Sequence, residues 1–204
     1  MALTNAYATL AEFKSELGGQ GSTHDSELEA ALNAASRSID GYTGWPHGFW
    51  QDSTVAVRTF RADSRYCCLI PEGISTTTGL IVKLDDDGDG TFETTLTINT
   101  DFILEPLNAA VNVPVWPYTE IVAVDNYSFQ SGYGRPGVQV TAKFGWPAVP
   151  DDVEKACIVL AHDLFKMKDA PFGVAGIADM GVLRVTQNKT VSMLLAPYRR
   201  PSVG

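Results

Sequence analysis

The chain of 204 residues is poor in cysteine and has no long apolar run, and each shortage excludes a class of protein. Cys67 and Cys68 are neighbours, Cys157 is distant, and no CxxC pair occurs. An odd number of cysteines without such a pair supports neither a disulfide framework nor a thiolate zinc site, and it favours reduced, cytosolic folding. No apolar run reaches the roughly 18–20 residues that a membrane span requires, so we expect no transmembrane helix. The first residues also lack the basic and apolar segments of a signal peptide.

Basic residues are scarce as well. The chain has 15 Lys and Arg against 24 Asp and Glu, a formal net charge of -9. Because affinity for nucleic acid depends on Lys and Arg contacts to phosphates, we expect this chain not to grip DNA. The charge is uneven, however: residues 1–150 hold 8 basic and 18 acidic residues, whereas 151–204 hold 7 and 6. No acid follows Asp179, so the C-terminal segment is purely basic.

The residues that usually carry catalysis are also absent or scattered. The three histidines, His24, His47 and His162, are far apart and have no metal-ligand spacing such as HExxH. No GxSxG elbow, no GxxxxGK[ST] loop and no strand–GxGxxG–helix unit occurs. We therefore expect no catalytic residues, no bound cofactor and no enzyme activity.

The residues that are present predict a globular protein with helices at both ends. Thr9-x-x-Glu12 has the form of a capping box, and it is followed by a short helix that Gly18 and Gly19 end. A second helix starts near Thr23 or Asp25, and a third starts at Asp151. The apolar seams of these two helices have the same 4, 3, 4, 3 spacing: Leu28, Leu32, Ala35, Ile39 and Tyr42 in one, Val153, Cys157, Leu160, Leu164 and Met167 in the other.

Because the two apolar seams have equal spacing, we predict that the second and third helices pack on each other. The predicted contact residues are Leu28, Leu32, Ile39, Val153, Leu160 and Leu164. Beyond the third helix, residues 171–181 predict a flexible loop of small residues. A short strand at 182–185 and a short helix closed by Pro197 complete the chain. A loop before a basic end is typical of an arm that orders on docking.

The middle of the chain predicts strands. Short β-branched runs bounded by Pro, Gly, Asp or Asn occur at 55–60, 66–70, 80–84, 120–124 and 138–144. Their spacing indicates an antiparallel sheet, a sandwich or a small barrel. Three prolines confine 105–118 to a loop or an edge.

The predicted fold class is therefore α+β, with terminal α-helices packed as a helical bundle and a large antiparallel β-rich insertion. The predicted parts are N-terminal helices at 1–53, the inserted β-rich domain at 54–146, a long helix completing the helical body at 147–170, and a loop with the C-terminal segment at 171–204.

One acidic motif suggests a metal. Asp85, Asp87, Asp89 and Gly90 match D-x-D-x-D-G, the first half of a calcium-binding loop. The bidentate Glu expected at position twelve is replaced by Leu96, and the flanks, 80–84 and 92–98, read as strands, so this is not an EF-hand. Asp-Gly is favoured in tight hairpin turns. The motif indicates such a turn, either alone, which we favour, or with Ca²⁺ or Mg²⁺ on Asp85, Asp87 and Asp89.

Aromatic residues collect at the ends of predicted elements and in loops: Trp45, Trp50, Trp116, Trp146, Tyr118, Tyr127 and Tyr133. Such residues could form a sugar-binding platform. More often they close the ends of a small sheet, and this is the interpretation we favour.

Taken in order, four stretches resemble the head–tail connector (adaptor) proteins of long-tailed bacteriophages, especially the variety in phages and prophages of actinobacteria. They are the helix pair at 9–44, the turn and strand at 87–108, the segment 143–161, and the pair 171–176 with 194–199. Together they cover most of the chain, although the large β block departs from the shortest members of the family.

The resemblance implies a structural virion protein without enzyme activity. Such proteins form a ring, usually of twelve subunits, under the portal; the ring extends the DNA channel and carries the next neck, head-completion or tail protein. DNA passes through without sequence-specific binding. The chain would then lie in the neck at the portal vertex of the virion, and in the host cytoplasm during assembly. The residues implied to face the portal are Arg184, Lys189, Tyr198, Arg199 and Arg200.

Two alternatives stay open at this stage. One is another neck component, such as a stopper or a tail-completion protein. The other is a calcium-dependent glycan-binding module, based on the Asp85–Asp89 cluster and the aromatic residues. For the connector, a cut after Asp179 is expected to abolish docking and to leave the fold intact.

Overall fold

A computed structural model describes residues 3–19, 21–124, 127–129, 136–166 and 185–200. The chain divides into two compact units, which we call the helical unit (1–45 and 149–204) and the β unit (46–148). The chain contains both α-helices and antiparallel β-sheets, in separate stretches of the sequence. The predicted α+β class is therefore confirmed. Among the described helices, none has the length and apolar character needed to cross a membrane.

Four α-helices of the helical unit lie wholly within the described residues. They are α1 (Leu10–Glu16), α2 (Asp25–Thr43), α3 (Asp151–Lys166) and α4 (Lys189–Leu195), with 3₁₀ turns at Ser22–His24 and Ala196–Tyr198. The capping box before α1 is present: Thr9 accepts from the backbone NH of Glu12, whose carboxylate accepts from the NH of Thr9. α2 ends at Gly44, which adopts φ 76°, a left-handed conformation that favours glycine.

α2 packs on α3, and α3 packs on α4. Five of the six predicted seam residues, Leu28, Leu32, Ile39, Val153 and Leu160, are fully buried, and Leu164 is half-buried. On the interhelical side Ser36 Oγ lies 3.4 Å from Cys157 Sγ. Met167 and the predicted loop at 171–181 lie outside the described residues.

The C-terminal segment packs against the helices along much of its length. Val185, Val191, Leu195 and Tyr198 are at most 3% exposed. Residues 185–187 are helical, so the predicted strand at 182–185 is wrong at its last residue; its other three residues lie outside the described part of the chain. The buried residues Val191, Leu195 and Tyr198 recur at the spacing of a helix rather than a strand, and they place one side of this segment in the core.

In the part of the β unit that the structure describes there are seven strands. They are β1 (Ala56–Phe60), β2 (Cys67–Ile74), β3 (Ile81–Leu84), β4 (Thr94–Leu96), β5 (Phe102–Glu105), β6 (Tyr118–Ala123) and β7 (Val138–Ala142). They form a four-stranded sheet in the order β1-β7-β3-β4 and a three-stranded sheet in the order β2-β6-β5. Every strand pair is antiparallel.

Both sheets contribute to one apolar core, which fits the sandwich among the predicted architectures. Val82 and Val140 come from the larger sheet, and Cys68, Ile121 and Leu104 come from the smaller one. Strand β5 was not among the five main predicted runs, since it has only four residues before Pro106. The chain between β5 and β6 carries a 3₁₀ turn at Ala109–Val111, so the prediction of a loop or edge at 105–118 is confirmed.

Two of the four tryptophans, Trp146 and Trp45, are buried, whereas Trp50 and Trp116 are half-buried. Trp146 is fully buried, with its ring centroid 5.0 Å from Phe49 and 4.8 Å from Trp116. Trp45, in the helical unit, is 5% exposed. Buried indole faces are not accessible to a sugar ring, so the packing interpretation accounts for these residues. Tyr133 lies outside the described residues.

Candidate docking surfaces

The basic C-terminal end of the helical unit is held in place by backbone hydrogen bonds. The NH of Arg200 donates to the carbonyl of Thr43 (2.9 Å), and Trp45 Nε1 donates to the carbonyl of Tyr198 (2.9 Å). Thr43 and Trp45 lie at the end of α2, and Tyr198 and Arg200 lie at the end of the 3₁₀ turn after α4. The two chain segments therefore fix each other at one end of the helical unit.

Two arginines are presented at this end over aromatic rings. The guanidinium of Arg199 lies 5.4 Å from the ring centroid of Tyr42, and that of Arg200 lies 4.7 Å from the ring of Trp45. Such cation–π contacts orient the guanidinium group of each arginine. Arg199 is exposed and Arg200 is half-buried, so the pair forms a small pre-oriented cationic surface.

Tyr198 supports this surface from inside. It is 3% exposed, and its hydroxyl donates to Asp152 Oδ2 on α3 (3.2 Å). Burial raises the pKa of Tyr198 to about 12, and the carboxylates of Asp152 and Asp151 add to the shift. The phenol therefore stays protonated and keeps donating over the physiological pH range.

Lys189 and Arg184 do not join this surface. Lys189 is exposed at the first residue of α4, after the N-cap Asn188, whose side chain donates to Asp163 (2.9 Å). Arg199 lies ten residues further along, beyond the other end of α4 and after the 3₁₀ turn Ala196–Tyr198. Arg184 lies outside the described residues. The structure thus brings together Tyr198, Arg199 and Arg200 and separates Lys189 from them.

The acidic turn joins β3 to β4. The buried carboxylate of Asp85 (1% exposed) accepts from the backbone NH of Gly88 (2.7 Å) and of Gly90 (2.9 Å). Asp87 accepts from Asp89 NH, and Asp89 accepts from Thr91 NH. These bonds occupy carboxylate lone pairs with the turn's own backbone, as expected for a hairpin turn rich in Asp and Gly.

The same three aspartates could converge on a cation. One carboxylate oxygen from each of Asp85, Asp87 and Asp89 lies within 4.8 Å of the others. Hard oxygen ligands suit Ca²⁺, but backbone donors already use several of these oxygens. Calcium binding stays a prediction, and thermal melts in Ca²⁺ and in chelator check it: equal midpoints contradict it.

The thiols are not activated for chemistry. Burial is the largest cause that raises the pKa of Cys67 to about 11, of Cys68 to about 12 and of Cys157 to about 11. Reactive cysteines show the opposite shift. Among the described residues, His47 Nε2 lies 3.0 Å from a carboxylate oxygen of Asp52, and His24 Nδ1 lies 3.2 Å from one of Glu27.

One surface was missed by the sequence analysis. The connection between β5 and β6, residues 106–117, carries four exposed aliphatic side chains: Leu107 (66%), Val111 (76%), Val113 (98%) and Val115 (40%). We call it the β5–β6 loop. The signal available in the sequence was the alternation of valines with Asn and Pro, which a strand pattern would also produce.

Comparison with known proteins places the fold. No protein-family model matches the chain, and no curated protein matches it either. Solved structures do. A chain in the neck of an empty GTA particle with C6 symmetry has a TM-score of 0.56 and 21% identity, over 100% of this chain and 96% of that one. A chain in the neck of a native GTA particle with C12 symmetry gives 0.54 and 22%, with the same coverage.

A third similar chain belongs to the virion of a native gene transfer agent (GTA) particle, with a TM-score of 0.53 and 20% identity over the same shares of both chains. At these identities the similarity concerns the fold. It extends over the full length, so this chain has the fold, in both its helical and its β parts, of a protein found in GTA necks and virions.

Proposed function

We propose that the chain is a structural, non-enzymatic subunit of the neck of a phage-like particle, and specifically a head–tail connector that forms a ring under the portal. The observation that carries the proposal is the full-length fold match to chains in necks with C6 and C12 symmetry. The resemblance of four sequence stretches to phage connectors supports the same function independently.

The charge of the chain suits a channel for DNA. The β unit holds 6 basic and 12 acidic residues and the helical unit holds 9 and 12, so both units are net negative. A negative wall repels phosphates and gives DNA no strong attachment, which permits passage. In this proposal DNA moves through the ring without sequence-specific binding, and the protein resides in the virion.

The cationic end of the helical unit is the proposed portal contact. Arg199 and Arg200 are held over Tyr42 and Trp45, so docking costs little additional side-chain ordering. Tyr198, which is buried, positions them rather than touching a partner. The proposed partner surface is acidic, since planar guanidinium groups bind carboxylates in a bidentate manner. Lys189 would form a separate contact at the far end of α4.

Negative-stain microscopy of the purified chain, alone and mixed with the portal protein of the same particle, tests the function. We expect ring-shaped particles, or a monomer that assembles into rings on the portal. Another neck protein would be indicated by binding to a connector–portal complex and not to the portal itself. Failure to bind in either arrangement would contradict a neck function.

Charge reversal tests the contact surface. We expect Arg199→Glu to lower the affinity for portal about tenfold or more, because it places an acid against the proposed acidic surface. Lys166→Glu, an exposed lysine at the end of α3, is the matched control and should bind normally. Equal binding by the two variants would remove Arg199 from the interface and leave the ring function to be judged by microscopy.

A further inference from the structure

The four-stranded sheet of the β unit has two open edges. In the order β1-β7-β3-β4, strands β1 and β4 each have a single partner strand. An edge strand presents unpaired backbone NH and carbonyl groups, which a strand of another chain can bind. Native proteins usually prevent such pairing with a proline, a charged side chain, a bulge or a very short strand.

The three-stranded sheet shows these protective features at both of its edges. Edge strand β2 contains Pro71 and Glu72, and its register with β6 is irregular. The opposite edge strand, β5, has four residues and ends at Glu105, directly before Pro106. Because proline cannot donate to a ladder and a charged side chain resists burial between strands, this sheet is poorly suited to adding a strand.

Strand β1 has no such protection. Its five residues, Ala56–Phe60, include neither Pro nor Gly, and they pair with β7 in unbroken register. Its single charged side chain, Arg58, is already used within the chain: the guanidinium lies 4.2 Å from the ring centroid of buried Phe144, and Nη2 lies 3.1 Å from Asp52 Oδ2. Val57, in contrast, is 60% exposed. The β1 edge is therefore able to accept a further strand along its length.

The outer face of the same sheet contains no acid. Alternation along the strands turns seven side chains outward: Val57 and Thr59 of β1, Gln139 and Thr141 of β7, Ile81 and Lys83 of β3, and Thr95 of β4. The β unit has 12 acidic residues, and none of them is in this set. Two copies of a net negative chain repel each other least where acids are absent, so this face suits contact with a second copy.

The strand directions allow the sheet to continue into a second copy. Strands β1, β7, β3 and β4 alternate in direction, so β4 runs antiparallel to β1. When β4 of a second copy lies beside β1, the antiparallel order continues and the outer faces of both sheets stay on one side. Because the two edges are different strands, each copy offers β1 to one neighbour and β4 to the other. Contacts of this head-to-tail kind generate rings when the rotation closes.

From this arrangement we infer that β1 of one copy pairs antiparallel with β4 of a second copy, so that neighbouring subunits share one extended sheet. The register places Val57 opposite Thr95 on the outer face, which sets Phe60 opposite half-buried Phe92 on the inner one. Aromatic cross-strand pairs stabilise antiparallel strands, whereas a shift of one residue would turn the outward side chains inward. The inference rests on the proposed ring function and adds the strand pair that joins neighbouring subunits.

Disulfide cross-linking between two differently marked copies tests the contact. Cys67→Ser serves as the background, because the other two cysteines are buried. Protein carrying Val57→Cys is mixed with protein carrying Thr95→Cys, alone and with the portal protein of the same particle, and is oxidised with copper phenanthroline. The matched control replaces Val57→Cys by Thr59→Cys, which is also exposed but lies two residues out of register. We expect a dimer yield about tenfold above the control, because only directly opposite residues come within disulfide reach.

A charge pair at one position separates the contact from folding. In the inferred register Thr59 lies opposite Glu93 of the second copy, and both side chains are exposed. Placed on the Val57→Cys protein, Thr59→Glu should lower the cross-linked yield about tenfold, because it sets two carboxylates against each other. Thr59→Lys should keep or raise the yield, because it faces the same carboxylate with a cation. Both substitutions are on the surface, so we expect unchanged melting temperatures.

Each outcome supports or overturns the inference. A yield no higher than the register control, or equal yields with Thr59→Glu and Thr59→Lys, overturns it. Cross-linking of the Val57→Cys protein to itself would show a two-fold pairing of β1 strands, and cross-linking to the portal would show a different partner; both overturn it. Rings seen by microscopy without the cross-link between positions 57 and 95 overturn this contact and leave the proposed function intact. Absence of rings with and without portal counts against the function itself.

Discussion

The helical unit and the β unit use their acidic residues differently. In the helical unit acids pair with cations: Lys14 with Asp25, Lys155 with Glu16 (2.5 Å) and Arg37 with Asp40 (2.9 Å). In the β unit several acids bind backbone NH groups instead, as Asp85 does with Gly88 and Gly90 and Asp101 with Thr97. The β unit also has the larger net negative charge, with 6 basic and 12 acidic residues against 9 and 12 in the helical unit. The comparison shows that aspartates which accept backbone hydrogen bonds in turns keep their negative charge. They therefore contribute a negative surface potential that attracts cationic partners.

The largest expected effect is on the helical unit, which depends on its C-terminal segment. A cut after Asp179 removes Val185, Val191 and Leu195, each fully buried, together with Tyr198. At about 1.5 kcal/mol or more for each aliphatic side chain, the loss is roughly 5 kcal/mol, comparable with the stability of a whole domain. From the sequence alone we expected this cut to leave the fold intact. From the structure we expect it to unfold the helical unit.

Circular dichroism during heating measures this effect. We expect the shortened protein to lose most helical signal at 25 °C, and a chain ending after Arg200 to melt like the full chain, since it keeps every buried residue that the structure describes. An unchanged helical signal after the cut at Asp179 would mean that the C-terminal segment is not needed for the core.

A smaller effect is expected in the β unit from its acidic turn. Asp85→Ala leaves the NH groups of Gly88 and Gly90 without their acceptor, at a cost of about 2 kcal/mol in the free energy of unfolding. Asp87→Ala, at an exposed aspartate with one backbone bond, should cost less than about 1 kcal/mol. Urea denaturation followed by tryptophan fluorescence measures both, and equal effects would show that burial of Asp85 contributes nothing.

The smallest effect concerns the alkaline stability of the helical unit. Because the pKa of Tyr198 is raised from 10.0 to about 12 on folding, its contribution to stability is complete below pH 10 and is lost as the pH rises to about 12. Tyr198→Phe should cost about 1 kcal/mol at pH 7, through the lost bond to Asp152, and should flatten the decline above pH 10.

Denaturation series at pH 7 and between pH 10 and 12 measure that difference. Tyr66→Phe, at an exposed tyrosine of the β unit, is the control and should match the parent protein throughout. A decline of the same steepness in Tyr198→Phe would assign the alkaline loss to other groups, such as the three thiols.

Much of the local structure could be predicted because it depends on neighbouring residues. The capping box at Thr9, the apolar seam of α2 and the acid-rich start of α3 each place their signal within one or two helical turns. Strand β5 was harder to predict, since four residues before a proline give little periodicity. The C-terminal arm was misjudged because the burial of Val191 and Leu195 depends on α3, some thirty residues earlier in the chain.

By itself the sequence determined the elements, the α+β class, the acidic turn and the shortage of catalytic residues. Only the tertiary structure decided that Arg199 and Arg200 lie over aromatic rings, that Glu105 is the cross-strand partner of Glu120, and that the β5–β6 loop exposes its aliphatic side chains. The physical reason is the separation along the chain of the residues that interact. Propensity, capping and turn chemistry act between neighbours, whereas strand pairing and the meeting of chain ends are set by contacts between distant segments.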